Sequence, residues 1–252
     1  MVQEDSWRQE DIWDNEIARD YDSSDSEMFA PAVLGPTVDR LAELAGDGRA
    51  LEFAIGTGRV AVPLAGRGVP VTGIELSEAM ISQLRTKTGE DAIPVIRGDM
   101  ATTRAPGEFS LVYLVYNTIG NLLTQAEQVE CFRNAARHLS PGGRFVIELG
   151  LPELRVMPPG QSAVVFASNP GYIGLDTYDV VQQRLVSHHF YFGEGREARL
   201  VRSPHRYIWP AELDLMGQLA GFGLESRHAD WAGREFTAES ASHVSVYRLP
   251  TA

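Results

Sequence analysis

The chain has 252 residues, of which 44% are hydrophobic, and a formal net charge of −12 at pH 7. This apolar content is enough for a large buried core, whereas the acidic balance argues against nucleic acid and anionic membranes, which attract clustered Lys and Arg. The single cysteine, Cys131, excludes an intramolecular disulfide and a cysteine-rich metal site. Residues 1–16 lack the pattern of a signal peptide, so we expect a cytoplasmic protein without a membrane span.

The first 30 residues are strongly acidic, with ten acids and two arginines. Their apolar residues lie close to i, i+4 spacing, which predicts a helix with one packed face. These residues are Trp7, Ile12, Trp13, Ile17 and Tyr21. A second amphipathic helix is predicted over residues 33–44. We therefore interpret residues 1–48 as an N-terminal helical segment.

Residues 49–150 alternate between short apolar runs and helical patterns, which is typical of a mostly parallel sheet covered by helices on both faces. The predicted strands are residues 50–55, 69–74, 93–96, 109–116 and 144–149. Ser77 is a suitable N-cap for the helix after the second strand. A helix over residues 125–139 is predicted to stop at Ser140-Pro141-Gly142-Gly143.

The pattern changes after Gly150, where segments rich in β-branched and aromatic residues are separated by turn sequences. They cover residues 163–167, 172–181, 184–192 and 198–209, and predict antiparallel hairpins within an insertion over residues 151–209. Residues 210–252 then supply a helix (211–220) and two strands (224–231 and 243–249) that complete the core. The chain is therefore predicted to be an α/β protein with an inserted antiparallel β region.

Three successive predicted strands end in residues suited to a nucleotide-like ligand: Gly56-Thr57-Gly58, Glu75 and Asp99. Because the carboxyl ends of neighbouring parallel strands share one crevice, these residues can reach a single ligand. Glu75 is placed to accept hydrogen bonds from both hydroxyls of a ribose. A tight turn without a ligand and an acid that merely caps a helix remain the simpler alternatives.

Taken together, four motifs in residues 51–150 resemble those of class I S-adenosylmethionine-dependent methyltransferases. They are Glu52-x-x-x-Gly56-x-Gly58, Gly73-Ile74-Glu75-Leu76-Ser77, Gly98-Asp99-Met100 and Pro141-Gly142-Gly143. The resemblance implies a doubly wound, Rossmann-like, seven-stranded sheet that is mostly parallel and has an antiparallel last strand. It also implies S-adenosylmethionine as the cofactor.

Carried over by position, the resemblance assigns a contact with the cofactor to each motif residue. Glu52 would lie near the methionine part, Gly56 and Gly58 would leave room for the cofactor, and Glu75 would hold the ribose. Leu76 and Met100 would enclose the adenine, Asp99 would accept from its exocyclic amine, and the backbone of Val115 and Tyr116 would face the methionyl ammonium. Ala54 departs from the pattern, because many members have a glycine there.

The residues that act on the methyl acceptor are harder to recognise, because a sulfonium methyl is already activated and alignment supplies much of the rate. A hydroxyl acceptor would need a general base, and His189 is a candidate, although a structural strand histidine is the simpler interpretation. His188 and His189 should point to opposite faces of a strand. No metal site is predicted.

Tyr21 is the second catalytic candidate. In the small-molecule methyltransferases that this chain resembles, including those acting on amino sugars, an N-terminal segment with a tyrosine folds over the cofactor as a lid. The alternative is that Tyr21 only ends a packed helix face.

The sequence thus predicts methyl transfer to a nitrogen, or an oxygen, of a small molecule, with the insertion lying over the active site. The acidic N-terminus would tolerate a cationic amine, which favours nitrogen. Two alternatives remain: an NAD(P)-dependent oxidoreductase, which shares the G-x-G-x-x-A pattern, and a non-catalytic cofactor-binding module. Exposed edges of the hairpins are compatible with a homodimer.

Overall fold

The structure, a computed structural model, describes Ala18, Tyr21 and residues 30–193 and 198–251. The predicted helix around Trp7, Ile12, Trp13 and Ile17 lies outside the described residues, although Ala18 and Tyr21 are both helical. The second predicted helix is present as α1 (Pro31–Ala45). Its buried side chains, among them Leu34, Val38 and Leu41, pack on one face of the larger sheet.

The other elements follow in the predicted order. The helices after α1 are α2 (Ala61–Gly66), α3 (Glu78–Arg85), α4 (Gln125–His138) and α5 (Pro210–Leu219). The strands are β1 (Ala50–Phe53), β2 (Val71–Glu75), β3 (Val95–Arg97), β4 (Phe109–Leu114), β5 (Leu139–Gly150), β6 (Ala163–Asn169), β7 (Tyr172–Asp179), β8 (Arg184–Phe192), β9 (Ala198–Arg206), β10 (Gly223–His228) and β11 (Ser242–Arg248). Short 3₁₀ turns follow β4 (Thr118–Asn121) and β5 (Glu153–Arg155).

The larger sheet has seven strands in the order β10-β11-β5-β4-β1-β2-β3. Strands β1 to β5 pair in parallel, whereas β11 is antiparallel to both β5 and β10. Buried apolar side chains form one cluster on each face of this sheet, as expected for a sheet with helices on both sides. The predicted doubly wound architecture with an antiparallel last strand is confirmed.

A second sheet is formed by the segment between β5 and α5. It has four antiparallel strands in the order β6-β7-β8-β9. Most of its side chains are half-buried or exposed, which distinguishes it from the central strands of the larger sheet. The prediction of inserted antiparallel hairpins is therefore confirmed.

Several predicted boundaries were wrong, and the backbone explains why. β1 and β4 end earlier than predicted, because Ala54, Tyr116 and Asn117 have positive φ angles that turn the chain out of the strand. β5 begins at Leu139 rather than at residue 144. Leu139 already pairs with Phe109, and the ladder then shifts register before Arg144. The Ser-Pro-Gly-Gly run is thus an irregularity within β5.

Local side-chain hydrogen bonds determine where α3 and α4 begin. Ser77 accepts a hydrogen bond from the Met80 N–H and is the N-cap of α3, as predicted. Thr124 and Glu127 form a reciprocal capping box at the start of α4. No helix in the described part of the chain combines the length and apolar character that crossing a bilayer requires.

Candidate active site

The glycine loop after β1 is tied to the end of β2 by Glu75. The Gly56 N–H donates to Glu75 Oε2 over 2.8 Å, and the Ser77 N–H donates to Glu75 Oε1 over 2.8 Å. Glu75 is only 6% exposed, and this burial raises the pKa of its carboxyl. Each carboxylate oxygen still has lone pairs for a further donor, so the group can accept from a ligand above the loop.

Gly56 and Gly58 are required for different physical reasons. Gly56 has a φ of +57°, and a Cβ there would meet only the Ala54 carbonyl oxygen, at 3.9 Å. The space next to it is therefore open. Gly58, at φ +79°, lies against α3, where a Cβ would stand 2.2 Å from Leu84 Cδ1. Gly56 thus borders an open space, which together with Glu75 we call the cradle. Gly58 instead allows the loop to pack on α3.

Ala54 adopts the left-handed conformation that glycine favours, with a φ of +51°. An L-residue pays roughly 1 kcal/mol or more for this conformation. The position at which the sequence departs from the methyltransferase pattern is thus one where a glycine would be less strained. The observation supports the correspondence of Ala54 to the missing glycine.

Glu52 and Tyr113 form a buried pair on neighbouring strands β1 and β4. The Tyr113 hydroxyl donates to Glu52 Oε2 over 2.9 Å, and Glu52 is 2% exposed. Burial raises the pKa of Glu52 to about 8, against smaller opposing effects from the Tyr113 hydrogen bond and the Arg59 charge. Glu52 is consequently protonated, and therefore uncharged, at neutral pH.

Leu76, Asp99 and Met100 follow β2 and β3, at the same edge of the sheet as the glycine loop. Asp99 Oδ1 accepts from the Ala101 N–H over 2.7 Å, which leaves Oδ2 for another donor. Met100 is buried, and its carbonyl oxygen accepts from Asn134 Nδ2 over 2.8 Å. Leu76 is half-buried. These positions are compatible with a flat apolar ring held between two side chains and oriented by one carboxylate.

The turn after β4 holds two consecutive left-handed residues, Tyr116 and Asn117. The Tyr116 N–H donates to Glu148 Oε2 over 2.9 Å, and Asn117 Oδ1 accepts from the Gly150 N–H over 2.5 Å. The end of β5 therefore fixes this turn, and with it the backbone of Val115. Such backbone strain concentrates at functional sites, where the surroundings enforce it.

The smaller sheet turns one face towards the carboxyl ends of β4 and β5. Strand register places Asp176, Tyr178, Ser187, His189, Ser203 and His205 on this face, which we call the inner face. His205 Nδ1 lies 2.9 Å from Asn121 Oδ1, in the 3₁₀ turn after β4. The Tyr178 hydroxyl is hydrogen-bonded to the backbone of Glu153, in the turn after β5. The inner face thus meets the carboxyl ends of β4 and β5, and we call the region where the two sheets meet there the crevice.

His188 and His189 point to opposite faces of β8, as the sequence predicts. His188 Nε2 lies 3.1 Å from Thr177 Oγ1 on the outer face. His189 Nδ1 lies 2.8 Å from the Tyr172 hydroxyl on the inner face. Burial lowers the pKa of both imidazoles, so His189 is neutral at physiological pH and chemically able to accept a proton.

Tyr21, the other catalytic candidate, is half-buried in a helical turn. Most of the segment around it lies outside the described residues, so its role as a lid stays a prediction. Within residues 30–193 and 198–251, no three His, Cys, Asp or Glu side chains are grouped as metal ligands would be.

Several polar residues near the candidate site were not predicted from the sequence. Tyr113, Asn117, Asn121 and Glu148 all make hydrogen bonds there. Glu148 carried a usable signal, because it is an acid inside the apolar run Phe145-Val146-Ile147-Glu148-Leu149. The others depend on contacts between residues that are far apart in the chain.

Comparisons with known proteins agree with this geometry. Residues 50–143 match a family described as a methyltransferase domain. The solved structure of the CcbJ methyltransferase from Streptomyces caelestis is 36% identical, with a TM-score of 0.85, and the match covers 95% of this chain and 98% of that one.

Two curated relatives also come from Streptomyces. Cypemycin N-terminal methyltransferase, from a Streptomyces species, is 25% identical over 241 residues, or 93% of this chain and 96% of that protein. A dTDP-3-amino-3,4,6-trideoxy-alpha-D-glucopyranose N,N-dimethyltransferase from Streptomyces venezuelae is 32% identical over 98 residues, which is 39% of this chain and 40% of that one.

The fold, the crevice and these similarities define a methyltransferase. The chain belongs to the S-adenosylmethionine-dependent methyltransferases, and this assignment decides against the oxidoreductase alternative. The crevice fits this cofactor chemically, because it offers an open cradle beside Gly56, a buried carboxylate at Glu75 and a second carboxylate at Asp99.

Proposed function

We propose that this chain transfers a methyl group from S-adenosylmethionine to a nitrogen of a small molecule. The observation that carries the proposal is that the Glu75 and Gly56 cradle and the contacts of the inner face both lie at the carboxyl ends of the parallel strands. The names of the two curated relatives support a nitrogen as the methyl acceptor, since both describe methylation of an amine.

In this proposal the motif residues hold the cofactor as the resemblance implies. Glu75 accepts from the ribose hydroxyls, Asp99 accepts from the adenine amine, and Leu76 and Met100 enclose the ring. Gly56, Gly58 and Ala54 shape the loop against which the cofactor lies. The bound cofactor supplies an electrophilic methyl group.

The methionine end would lie between β1 and the turn after β4. Glu52 is buried there, and the backbone of Val115 and Tyr116 closes the other side. A cationic ligand next to Glu52 would lower the pKa of this acid, so that a negative charge develops where the ligand needs it. This gives a reason for a buried glutamate that is protonated while the crevice is free.

The rest of the chain would align the methyl acceptor with the methyl group of the cofactor and exclude water. Residues 151–209 would form the roof over the methyl acceptor, with residues 210–252 completing the core (49–150) beneath it. Tyr21 would belong to a lid contributed by residues 1–48, and His189 would serve as the general base if the acceptor atom were an oxygen.

The test is incubation of the protein with S-adenosylmethionine and a panel of small amines and alcohols, followed by mass spectrometry. The proposal expects a mass gain of one methyl group on an amine, together with S-adenosylhomocysteine. Methylation of alcohols alone would overturn the choice of nitrogen. Binding of the cofactor without any turnover would favour the non-catalytic module.

A further inference from the structure

The inner face carries two hydrogen-bonded groups of polar side chains, which lie side by side and form a row across three strands. Ser187 Oγ donates to Asp176 Oδ1 over 2.7 Å, and register places Ser187 beside Ser203. Ser203 Oγ lies 2.6 Å from His205 Nε2. The row ends at Asn121, in the turn after β4. It therefore leads from the small sheet to the edge of the cofactor crevice.

The orientation of the Asn121 amide, with Oδ1 towards His205, sets the direction of the hydrogen bonds of His205 and Ser203. Asn121 Oδ1 accepts from His205 Nδ1, so His205 Nε2 carries a lone pair and accepts from the Ser203 hydroxyl. Burial lowers the pKa of His205 to about 4, with a smaller effect from His189, so the ring is neutral. Both serine protons are thus engaged within the row.

A row with engaged protons offers only lone pairs to a ligand. Ser187 Oγ and Ser203 Oγ have already donated, and Asp176 Oδ2 receives no hydrogen bond from the described residues. The complement of such a surface is a group with several N–H donors and a positive charge, which is an alkylammonium ion. A neutral hydroxyl has one proton and could satisfy only one of these oxygens.

Resting on the proposed methyl transfer, we propose that this row binds the methyl acceptor as an ammonium ion, with Asp176 as its counter-ion and proton acceptor. Ser187 is the positioning residue, because its hydroxyl orients the carboxylate. Asp176 takes one N–H proton, and the nitrogen keeps the electron pair. That pair forms the new N–C bond while the C–S bond breaks and its electrons return to sulfur.

The position of Asp176 suits the uptake of a proton from the ammonium ion. It lies on β7 opposite the turn after β5 and is half-buried. Burial raises the pKa of Asp176, the Glu153 carboxylate adds to the rise, and the Ser187 hydrogen bond opposes it. An acid poised in this way binds a cation and also takes up its proton more readily than an exposed aspartate.

The experiment uses two matched pairs of probes: glucosamine with glucose, and cyclohexylamine with cyclohexanol. Each is titrated by calorimetry into the full-length protein saturated with S-adenosylhomocysteine. We expect the amine of each pair to bind at least about tenfold more tightly than the alcohol, as one charge-assisted hydrogen bond would provide. Asp176→Asn should abolish the preference by lowering the affinity for each amine to about that for its alcohol.

Ser187→Ala should reduce amine affinity by less, about threefold to tenfold, since the carboxylate remains but is no longer oriented. His188→Gln, on the outer face of the same strand, is the matched control and should bind like wild type. Circular dichroism checks that each variant folds. Equal binding of amines and alcohols, an unchanged preference in Asp176→Asn, or no probe binding to the loaded protein would overturn the proposal. Failure to bind S-adenosylhomocysteine would instead overturn the proposed function.

Discussion

The backbone N–H of Gly56 donates a hydrogen bond to Glu75 Oε2 over 2.8 Å, joining the loop after β1 to the end of β2. One buried carboxylate therefore fixes the loop and also borders the open space beside Gly56. Substitution of Glu75 should therefore change both the stability of the protein and its affinity for the cofactor.

The two loop glycines should respond differently to alanine. Gly58→Ala places a methyl group against Leu84 and should lower the free energy of unfolding by roughly 2 to 3 kcal/mol, because α3 must shift. Gly56→Ala should cost only about 1 kcal/mol of stability but weaken S-adenosylhomocysteine binding by about tenfold or more. Urea denaturation and calorimetry measure the two effects. Equal profiles for both variants would contradict this division of roles.

Replacement of Ala54 by glycine should stabilise the protein. At φ +51° alanine is sterically strained, whereas glycine adopts this conformation freely. The strain that is relieved exceeds the conformational entropy that glycine loses on folding, so the expected gain is about 0.5 to 1 kcal/mol. Ala42→Gly, in the interior of α1, should lose about 1 kcal/mol and serves as the control. Urea denaturation is the measurement. A destabilised Ala54→Gly variant would show that this turn is not strained.

The contribution of Glu52 to the stability of the free protein should fall as the pH rises from about 4.5 to about 8. Between these values the folded state holds a proton that the unfolded chain has released, so deprotonation costs folding free energy. From about pH 5.5 to 7.5, wild type should lose roughly 2 to 3 kcal/mol relative to Glu52→Gln.

The control for this pH dependence is Glu108→Gln, a change at an exposed acid. It should follow wild type across the whole range, because this exposed side chain is not part of the buried Glu52 and Tyr113 pair. Urea denaturation at the two pH values distinguishes the variants. A constant difference between wild type and Glu52→Gln would mean that Glu52 ionises normally in the folded protein.

Arg206 should be the strongest single link between the small sheet and the core helices. Its guanidinium is buried and donates to Gln128 on α4 over 2.6 Å, to Gln183 over 2.8 Å and to Glu212 on α5 over 2.6 Å. Arg206→Ala leaves the Glu212 carboxylate without its cation and should cost about 3 to 5 kcal/mol. Exposed Arg202→Ala should change stability by less than about 0.5 kcal/mol. Similar thermal unfolding of the two variants would contradict this role.

The proposed cofactor half of the site could be predicted from the sequence because the residues that define it lie in short local motifs. A glycine loop, an acid and an N-cap serine each follow a strand directly, and parallel strands bring their ends together. The proposed methyl-acceptor half could not be predicted, because it depends on strand register. Asp176 meets Ser187 only through the pairing of β7 with β8, and His205 meets Asn121 across 84 positions of sequence. A slip of one residue would turn these side chains to the outer face.

Calorimetric titration of S-adenosylhomocysteine into wild type, Glu75→Gln and Glu78→Gln tests the central claim most directly. Wild type should bind one equivalent, and exposed Glu78→Gln should match it. Glu75→Gln should bind about tenfold to a hundredfold more weakly, because its amide nitrogen replaces an oxygen that accepts hydrogen bonds in the cradle. Unchanged affinity in Glu75→Gln, or no binding by wild type, would contradict the assignment of this crevice as the cofactor site.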